Sequence, residues 1–402
     1  MENCTPITEC LACGGSWLVP TLDLGTQPLA NNFKPSDTQP EPSYPLAINR
    51  CTNCNHLQLT DAVNPALIYT HYLYVSGTSG TYVEYMDWYA RFVREQFERW
   101  PNGGVLDIGC NDGSQLDAFK RLGMLTHGVD PAENLYPKSS VNHKIILGFW
   151  DEDSAGRLGR DFDIITTQNA FAHIPDPLAY LKLAKEYLRN DGKIFISTSQ
   201  ADMVLNGEFD TIYHEHISYY NTRSMQKLAE RAGLYLVDVV KTPIHGTSYI
   251  FVLAKKPANE YRIENILKTE LRLHDDSTYQ VWADGVNKLL IDLKEQIAEF
   301  QGWGYRCIGY GAAAKGMTLL NASGIQLDCV VDDNPLKQGL FCPGTAIPVV
   351  SSNYIRQLAD ADKVVFVPLA WNFYPEIKQK IQSIRSNKDD LFLRYFPTIT
   401  AE

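Results

Sequence analysis

The spacing of apolar residues changes along this 402-residue chain, and each change marks a different kind of element. Up to about residue 75 helical periodicity is weak and Pro and Asn are frequent, as in QPLANNFKPSDTQPEPSYPL, which predicts a loop-rich module. From Thr81 to Trp100 the pattern TYVEYMDWYARFVREQFERW returns apolar residues at helical spacing, so an amphipathic helix is expected. Between Gly104 and Ala254 short apolar runs (VLDIG, LTHGVD, KIILG, FDIITTQ, KIFIST) alternate with helical stretches, the order of a mostly parallel sheet covered by helices on both faces. The later runs LYLVDVV and SYIFVLA have no long helix between them and predict an antiparallel pair at the sheet edge. After the linker-like KKPANE, a long helical pattern is expected from about Glu260 to Phe300. A second strand–helix alternation follows through YRCIGYG, LDCVVDD and KVVFVPLA. The expected organisation is an α/β protein with a small module over 1–75, a central doubly wound domain over 76–256 and a second one over 257–402.

Composition narrows the class. A hydrophobic share of 45% with 21% charged residues describes a globular chain with ample core material. No run of 18 apolar residues occurs, and the start MENCTPITEC is neither basic nor apolar, so a cytoplasmic location without membrane contact is expected. A net charge of -11 without a basic cluster argues against a nucleic-acid partner. Of the nine cysteines, Cys10 and Cys13 form one CxxC pair and Cys51 and Cys54 another. Four thiolates at such spacings close tetrahedrally around one zinc ion and leave it no open position, so the metal is expected to hold structure. His56 stands near the second pair, where a packing role fits a complete cysteine set.

VLDIGCNDG, residues 105–113, is a strand entering a tight turn, with Asp107, Gly109 and Gly113 set for close approach to a ligand at the carboxyl end of the first strand. A dinucleotide turn reads GxGxxG, whereas here Asn111 replaces the second glycine and Asp112 follows. An acidic turn repels a pyrophosphate and suits the cationic amino and sulfonium groups of S-adenosylmethionine. Asp130 ends the next strand, where a carboxylate can accept both hydroxyls of a ribose or cap a turn. Phe149 and Trp150 could sandwich adenine or pack in the core, and Asn169 ends the fourth strand.

TIYHEHISYY, residues 211–220, sets Tyr213, His214, Glu215 and His216 side by side. Removing a proton from carbon beside a ketone needs a base near neutral pKa and support for the charge that develops on oxygen. His216 is the candidate base, with Glu215 orienting it or sharing the proton. Tyr213 and His173 are candidates to steady an enolate. An HxH pair on a strand also suits a metal site or a surface position, and those readings stay open.

On CxxC and CxxC, VLDIGCNDG, NAFAHIPD, YHEHISYY, PIHGTSY, GYGAAAKGMTLLN, VVDDNPLKQGLFCPGTAIPV and LAWNFYPEI, the whole chain resembles a known family. This is the sugar C-methyltransferases acting at C3′ of nucleotide-linked 4-keto-6-deoxy sugars in antibiotic and lipopolysaccharide pathways. The resemblance implies an N-terminal zinc-binding module, a central Rossmann-like S-adenosylmethionine domain and a C-terminal Rossmann-like domain that closes over a TDP- or GDP-linked keto sugar. It places catalysis on Tyr213, Glu215 and His216, with the histidine of NAFAH at His173. One departure bears on the acceptor pocket: the family's IHGGS-like segment reads IHGTS at 244–248, with a side chain at Thr247.

GYGAAAKG, residues 309–316, opens a helix after a strand, so its amides and Lys315 can meet a phosphate. The resemblance adds Asn372 as a substrate contact. Asp332 at the end of the next strand supports a rival reading as an NAD-dependent oxidoreductase. Further alternatives are an O- or N-methyltransferase on another small molecule and a noncatalytic zinc-bearing binding protein. Oligomeric state is left open.

Overall fold

The computed structural model describes residues 3–70, 72, 75–78, 80–198, 202–244 and 247–402. They form two compact units. One comprises 1–20, 49–202 and 215–274, the other 21–48, 203–214 and 275–402.

The first unit is built on a seven-stranded sheet. Its strands are β1 (Val105–Ile108), β2 (Thr126–Asp130), β3 (Lys144–Leu147), β4 (Phe162–Gln168), β5 (Leu188–Thr198), β6 (Tyr235–Thr242) and β7 (Ser248–Ala254), in the order β6-β7-β5-β4-β1-β2-β3. Neighbours from β5 to β3 pair in parallel, and β7 runs antiparallel to both β5 and β6. All four residues of β1 are buried, as expected of a parallel strand covered on both faces. The helix Gly80–Glu95 lays Tyr82, Met86, Tyr89, Ala90 and Val93 on one stripe against Val105, Phe119 and Phe195. The chain moves from β1 towards β2 and β3, then returns to the other side of β1 for β4 and β5. The carboxyl ends of β1 and β4 therefore flank a switch point, the place where open α/β sheets take their ligands.

The second unit holds a six-stranded sheet. Its strands are β8 (Arg306–Tyr310), β9 (Cys329–Val331), β10 (Val349–Val350), β11 (Val364–Pro368), β12 (Leu391–Arg394) and β13 (Thr400–Ala401), ordered β10-β9-β8-β11-β12-β13. All its pairs are parallel except the last. Its switch point lies between the ends of β8 and β11.

Two local expectations change. The continuous helix from Glu260 to Phe300 is broken into Glu260–Thr269, a 3-10 turn at Leu271–His274 and Asp276–Gly302. Glu270 is drawn out of the pattern by the amide and hydroxyl of Thr222, and the Asp275 side chain starts the new helix by accepting from Ser277 N at 2.9 Å. The N-terminal stretch also contains more strand than its Pro-rich composition suggests, in Leu18–Pro28 and Ser43–Cys51. The latter alternates buried Tyr44, Leu46 and Ile48 with less buried neighbours. Among the described residues no helix is long and apolar enough to cross a membrane.

Candidate active site

The four CxxC sulfurs converge. Cys10 Sγ lies 3.6 Å from Cys54 Sγ and Cys13 Sγ 3.6 Å from Cys51 Sγ. All four Sγ atoms fall within 4.8 Å of one another. A tetrahedron of sulfurs about 2.3 Å from a central zinc has edges of about 3.8 Å, so the donor set fits the ion closely. Each pair sits on a tight knuckle, with Gly14 N donating to Cys10 O at 2.7 Å and Asn55 N to Cys51 O at 2.8 Å. Cys10, Cys51 and Cys54 are continuous with the core formed by Leu106, Ile165 and Leu228. His56 takes the packing role, buried against Tyr220 with Nε2 3.3 Å from Ser218 Oγ.

Zinc-bearing chain also frames the segment that carries Glu215 and His216. Strand Leu57–Leu59 pairs antiparallel with Ser218–Tyr219, Leu59 N donates to Ile217 O at 2.9 Å, and Ile217 N donates to Ala172 O at 2.8 Å. The segment that carries His216 is thus held between the zinc module and the loop after β4.

At the donor turn, Gly109, Asn111 and Gly113 all take positive φ, at 81°, 51° and 82°. A Cβ on Gly109 would come within 2.6 Å of Ala170 Cβ, so the close approach requires glycine. Asp130 spans the turn: Oδ2 accepts from Asn111 N at 2.7 Å and Oδ1 from Ala132 N at 2.9 Å. Burial raises its pKa, partly offset by those two amides. A carboxylate has about four lone-pair positions, so each oxygen retains one for a ribose hydroxyl. Asn169, also left-handed, donates from Nδ2 to Tyr82 Oη at 3.0 Å.

Asp107 is buried, its Oδ1 has no hydrogen-bond partner, and burial followed by the nearby charge of Asp130 pushes its pKa up to about 8. A buried acid with one unpartnered oxygen at the mouth of a glycine turn suits a cationic ligand, which would draw the pKa back down. Donor binding at pH 7 is therefore expected to release protons, and affinity to rise with pH up to about 8. Calorimetry of S-adenosylmethionine in buffers of different ionisation enthalpy checks this; a heat independent of buffer would remove Asp107 from the donor's surroundings.

The other donor candidates divide. Asp112 is committed within the protein: its Oδ2 accepts from Lys138 Nζ at 2.6 Å and from Gly77 N at 3.2 Å. Burial alone would raise its pKa, but Lys138 and Ser114 outweigh that and lower it. Phe149 is exposed, whereas Trp150 packs on Tyr180 and Tyr187 and donates from Nε1 to Tyr180 O at 3.3 Å. The two rings meet different surroundings: Phe149 is exposed and Trp150 is half-buried against the core. Asn111 Oδ1 accepts from Ser76 N at 3.0 Å, so residues 76 and 77 cover the turn. A Cβ on Gly77 would lie 2.7 Å from Asp112 Oδ2 and nearer still to Ser114 Oγ.

The YHEH cluster lies in a turn rather than a strand, so the alternation that would put both imidazoles of HxH on one face does not apply. Glu215 and His216 are both buried. Glu215 Oε2 accepts from Tyr72 Oη at 2.8 Å, and its carbonyl oxygen from Tyr69 Oη at 3.1 Å. His173 stacks on His216 at 5.2 Å and on Tyr69 at 5.3 Å. His173 Nε2 is buried without a partner, and burial lowers its pKa to about 3, which keeps the ring neutral. Among the described residues only the four cysteines are grouped to hold a metal. Tyr213 and His214 belong to the second unit, where His214 Nε2 hydrogen-bonds Tyr44 O at 3.2 Å. Residues 245 and 246 of the segment 244–248 lie outside the described residues.

In the second unit, Lys315 stands at the start of helix Ala314–Ser323, with Nζ 3.8 Å from Asp210 Oδ1 and 5.3 Å from the Trp371 ring centroid. Buried Asp210 accepts from Trp371 Nε1 at 2.7 Å and Tyr395 Oη at 3.0 Å. Asn372 lies in the adjoining 3-10 turn Trp371–Phe373. Asp332 accepts from Ala312 N at 2.6 Å and Asn334 N at 2.8 Å. Tyr69, Tyr72, Gly77 and Asp210 escaped the sequence reading; the aromatic run IYTHY was the one available hint to the first two.

Residues 243–397 match a family model described as C-methyltransferase C-terminal domain, residues 80–239 one described as methyltransferase domain, and residues 10–69 one described as "Putative zinc binding domain". The chain is 31% identical over 389 residues to C-methyltransferase NovU of Streptomyces niveus, covering 92% of this chain and 91% of that relative. It is 26% identical over 165 residues to a ubiquinone biosynthesis O-methyltransferase of Hydrogenovibrio crunogenus, covering 36% of this chain and 67% of that one. A solved magnesium protoporphyrin IX methyltransferase from Synechocystis, with bound S-adenosylmethionine, is 14% identical. That match covers 43% of this chain and 79% of that one, at a TM-score of 0.34.

Proposed function

The chain belongs to the S-adenosylmethionine-dependent C-methyltransferases with an N-terminal zinc module, and on that premise we propose that it methylates C3′ of a nucleotide-linked 4-keto-6-deoxy sugar. The observation that supports this most is the buried pairing of His216 with a neutral His173 beside the Tyr72-bound carboxylate of Glu215.

His216 removes the C3′ proton, and the C–H electron pair forms the C3′–C4′ double bond while charge moves to the C4′ oxygen. Buried His173 Nε2 is assigned to that oxygen, with half-buried Tyr213 as the second candidate, since pre-set hydrogen-bonding groups stabilise developing charge without reorganisation. S-adenosylmethionine, when bound, would supply an electrophilic methyl to C3′, with the electron pair of the broken C–S bond going to sulfur. Asp107, Asp130 and Asn169 would hold the donor, Asp130 at its ribose, and Phe149 would offer its exposed ring to the adenine. Lys315, at the start of helix Ala314–Ser323, is the residue proposed for the substrate's diphosphate, and Asn372 is proposed as a further substrate contact. A nucleotide-linked, anionic small molecule made and used in the cytoplasm fits an acceptor of this kind.

The test is a panel of TDP- and GDP-linked 4-keto-6-deoxy sugars incubated with donor carrying a ¹³C methyl. The expected product is a new carbon-bound methyl at C3′ with one of them. A methyl on oxygen or nitrogen, or hydride chemistry with added nicotinamide, would replace the reading.

A further inference from the structure

We infer that Tyr69 is a positioning residue for the acceptor turn, its ring stacking on His173, which in turn stacks on His216, and its hydroxyl pinning the turn through the carbonyl of Glu215. The inference rests on His216 being the base.

Residues 213–217 belong to neither helix nor strand, so no regular hydrogen-bond ladder orients the His216 ring. Its direction is set by contacts. His173 lies 5.2 Å away at an interplanar angle of 26°, and Tyr69 in turn stacks on His173 at 5.3 Å and 8°. The Tyr69 hydroxyl reaches Glu215 O at 3.1 Å, which restrains the backbone one residue before His216. A single side chain thus bears on both the ring and the peptide that carry the chemistry.

Tyr69 is itself well anchored. It ends the short helix Ala66–Tyr69, with Tyr69 N donating to Pro65 O at 2.9 Å and Asn64 Oδ1 accepting from Ala66 N at 3.0 Å. That helix follows strand Asp61–Val63, which pairs with Cys4–Pro6 in the zinc-bearing segment. On its other side, Thr70 O accepts from Glu133 N at 3.1 Å, in the loop that leaves Asp130. The stack is therefore tied both to the zinc-bearing segment and to the loop that leaves Asp130. Misplacing a reacting group by about 1 Å can cost about 10²-fold in rate, whereas binding of either substrate alone need not change.

The test uses the full-length, zinc-loaded protein as wild type, Tyr69→Phe, Tyr69→Leu and His216→Asn. Tyr69→Phe keeps the stack and loses the hydrogen bond; Tyr69→Leu loses both. Each is measured for zinc content, donor affinity, kcat and KM for the keto sugar, and solvent deuterium exchange at C3′. Tyr69→Leu is expected to lower kcat and exchange by about 30-fold or more, towards the loss that misplacement brings. Its KM, donor affinity and zinc content stay near wild type, and Tyr69→Phe recovers most of the rate. Undiminished exchange in Tyr69→Leu beside an inactive His216→Asn overturns the inference alone. Loss of zinc or donor binding in Tyr69→Leu, with no recovery in Tyr69→Phe, also overturns it, because Tyr69 is then a folding residue. Undiminished exchange in His216→Asn overturns the underlying assignment of the base instead.

Discussion

His216→Asn is expected to bind S-adenosylmethionine with an affinity within about threefold of wild type and to turn over at least about 10²-fold more slowly, the usual scale for a lost general base. The separation is expected because the donor turn is held by contacts that do not involve His216. Asp130 accepts from Asn111 N and Ala132 N, Asn111 accepts from Ser76 N, and Asn169 donates to Tyr82. Asparagine is polar and smaller than imidazole, so it lowers the burial penalty of the change while removing a base whose ordinary pKa lies near 6.5. Glu215 is a poor substitute, since a carboxylate ordinarily sits near 4.3 and this one already accepts from Tyr72. His173 is a poor one too, because burial holds its pKa at about 3. Calorimetric titration of the donor together with single-turnover methyl transfer measures both halves. A parallel loss of donor affinity and turnover would make His216 part of the fold rather than the chemistry.

Zinc removal should have the other large effect, and on folding rather than on a chemical step. Binding of structural zinc to four thiolates is worth about 10–16 kcal/mol at neutral pH, comparable to or larger than the whole stability of an ordinary domain. Here three of the four ligands are packed into the same core as Leu106, Ile165 and Leu228, so losing the ion leaves buried thiols facing one another inside the first unit. The outcome expected for Cys51→Ser is a chain with less than one zinc that is insoluble or unfolds at a markedly lower temperature. Because Leu57–Leu59 pairs with Ser218–Tyr219, loosening the module should also free the His216 segment. Elemental analysis and thermal unfolding check it, and a zinc-free chain with an unchanged transition would contradict it.

Local pattern was enough where structure is locally determined. The buried parallel strands read as continuous apolar runs, and the turn VLDIGCNDG announced its positive φ angles through Gly109, Asn111 and Gly113. The CxxC pairs announced a converging cysteine set because the spacing within each pair dictates a knuckle. Other features depended on partners far away in sequence. Nothing near Glu270 indicates that Thr222 will capture it and end a helix, and nothing near Trp150 indicates that it will pack on Tyr180 and Tyr187. Ser43–Cys51 was hidden by neighbouring prolines, although its alternation of Tyr44, Leu46 and Ile48 was there to be read. Tyr69 and Tyr72 gain their place only when residues about 140 positions later fold against them, a separation of 146 and 143 residues. Asp112 looked like a ligand for the donor because an acidic turn was in view, while its partner Lys138 was not.

The central claim is that methyl transfer proceeds through an enolate made by removal of the C3′ proton, and proton exchange tests it without requiring turnover. The enzyme is incubated in D₂O with a nucleotide-linked 4-keto-6-deoxy sugar and S-adenosylhomocysteine, which fills the donor site but carries no methyl, and C3′ is followed by NMR. Enzyme-dependent loss of the C3′ proton signal, abolished in His216→Asn, is the result expected. A C3′ proton that stays in place while the same preparation methylates the sugar, or exchange that persists undiminished without His216, would contradict the account.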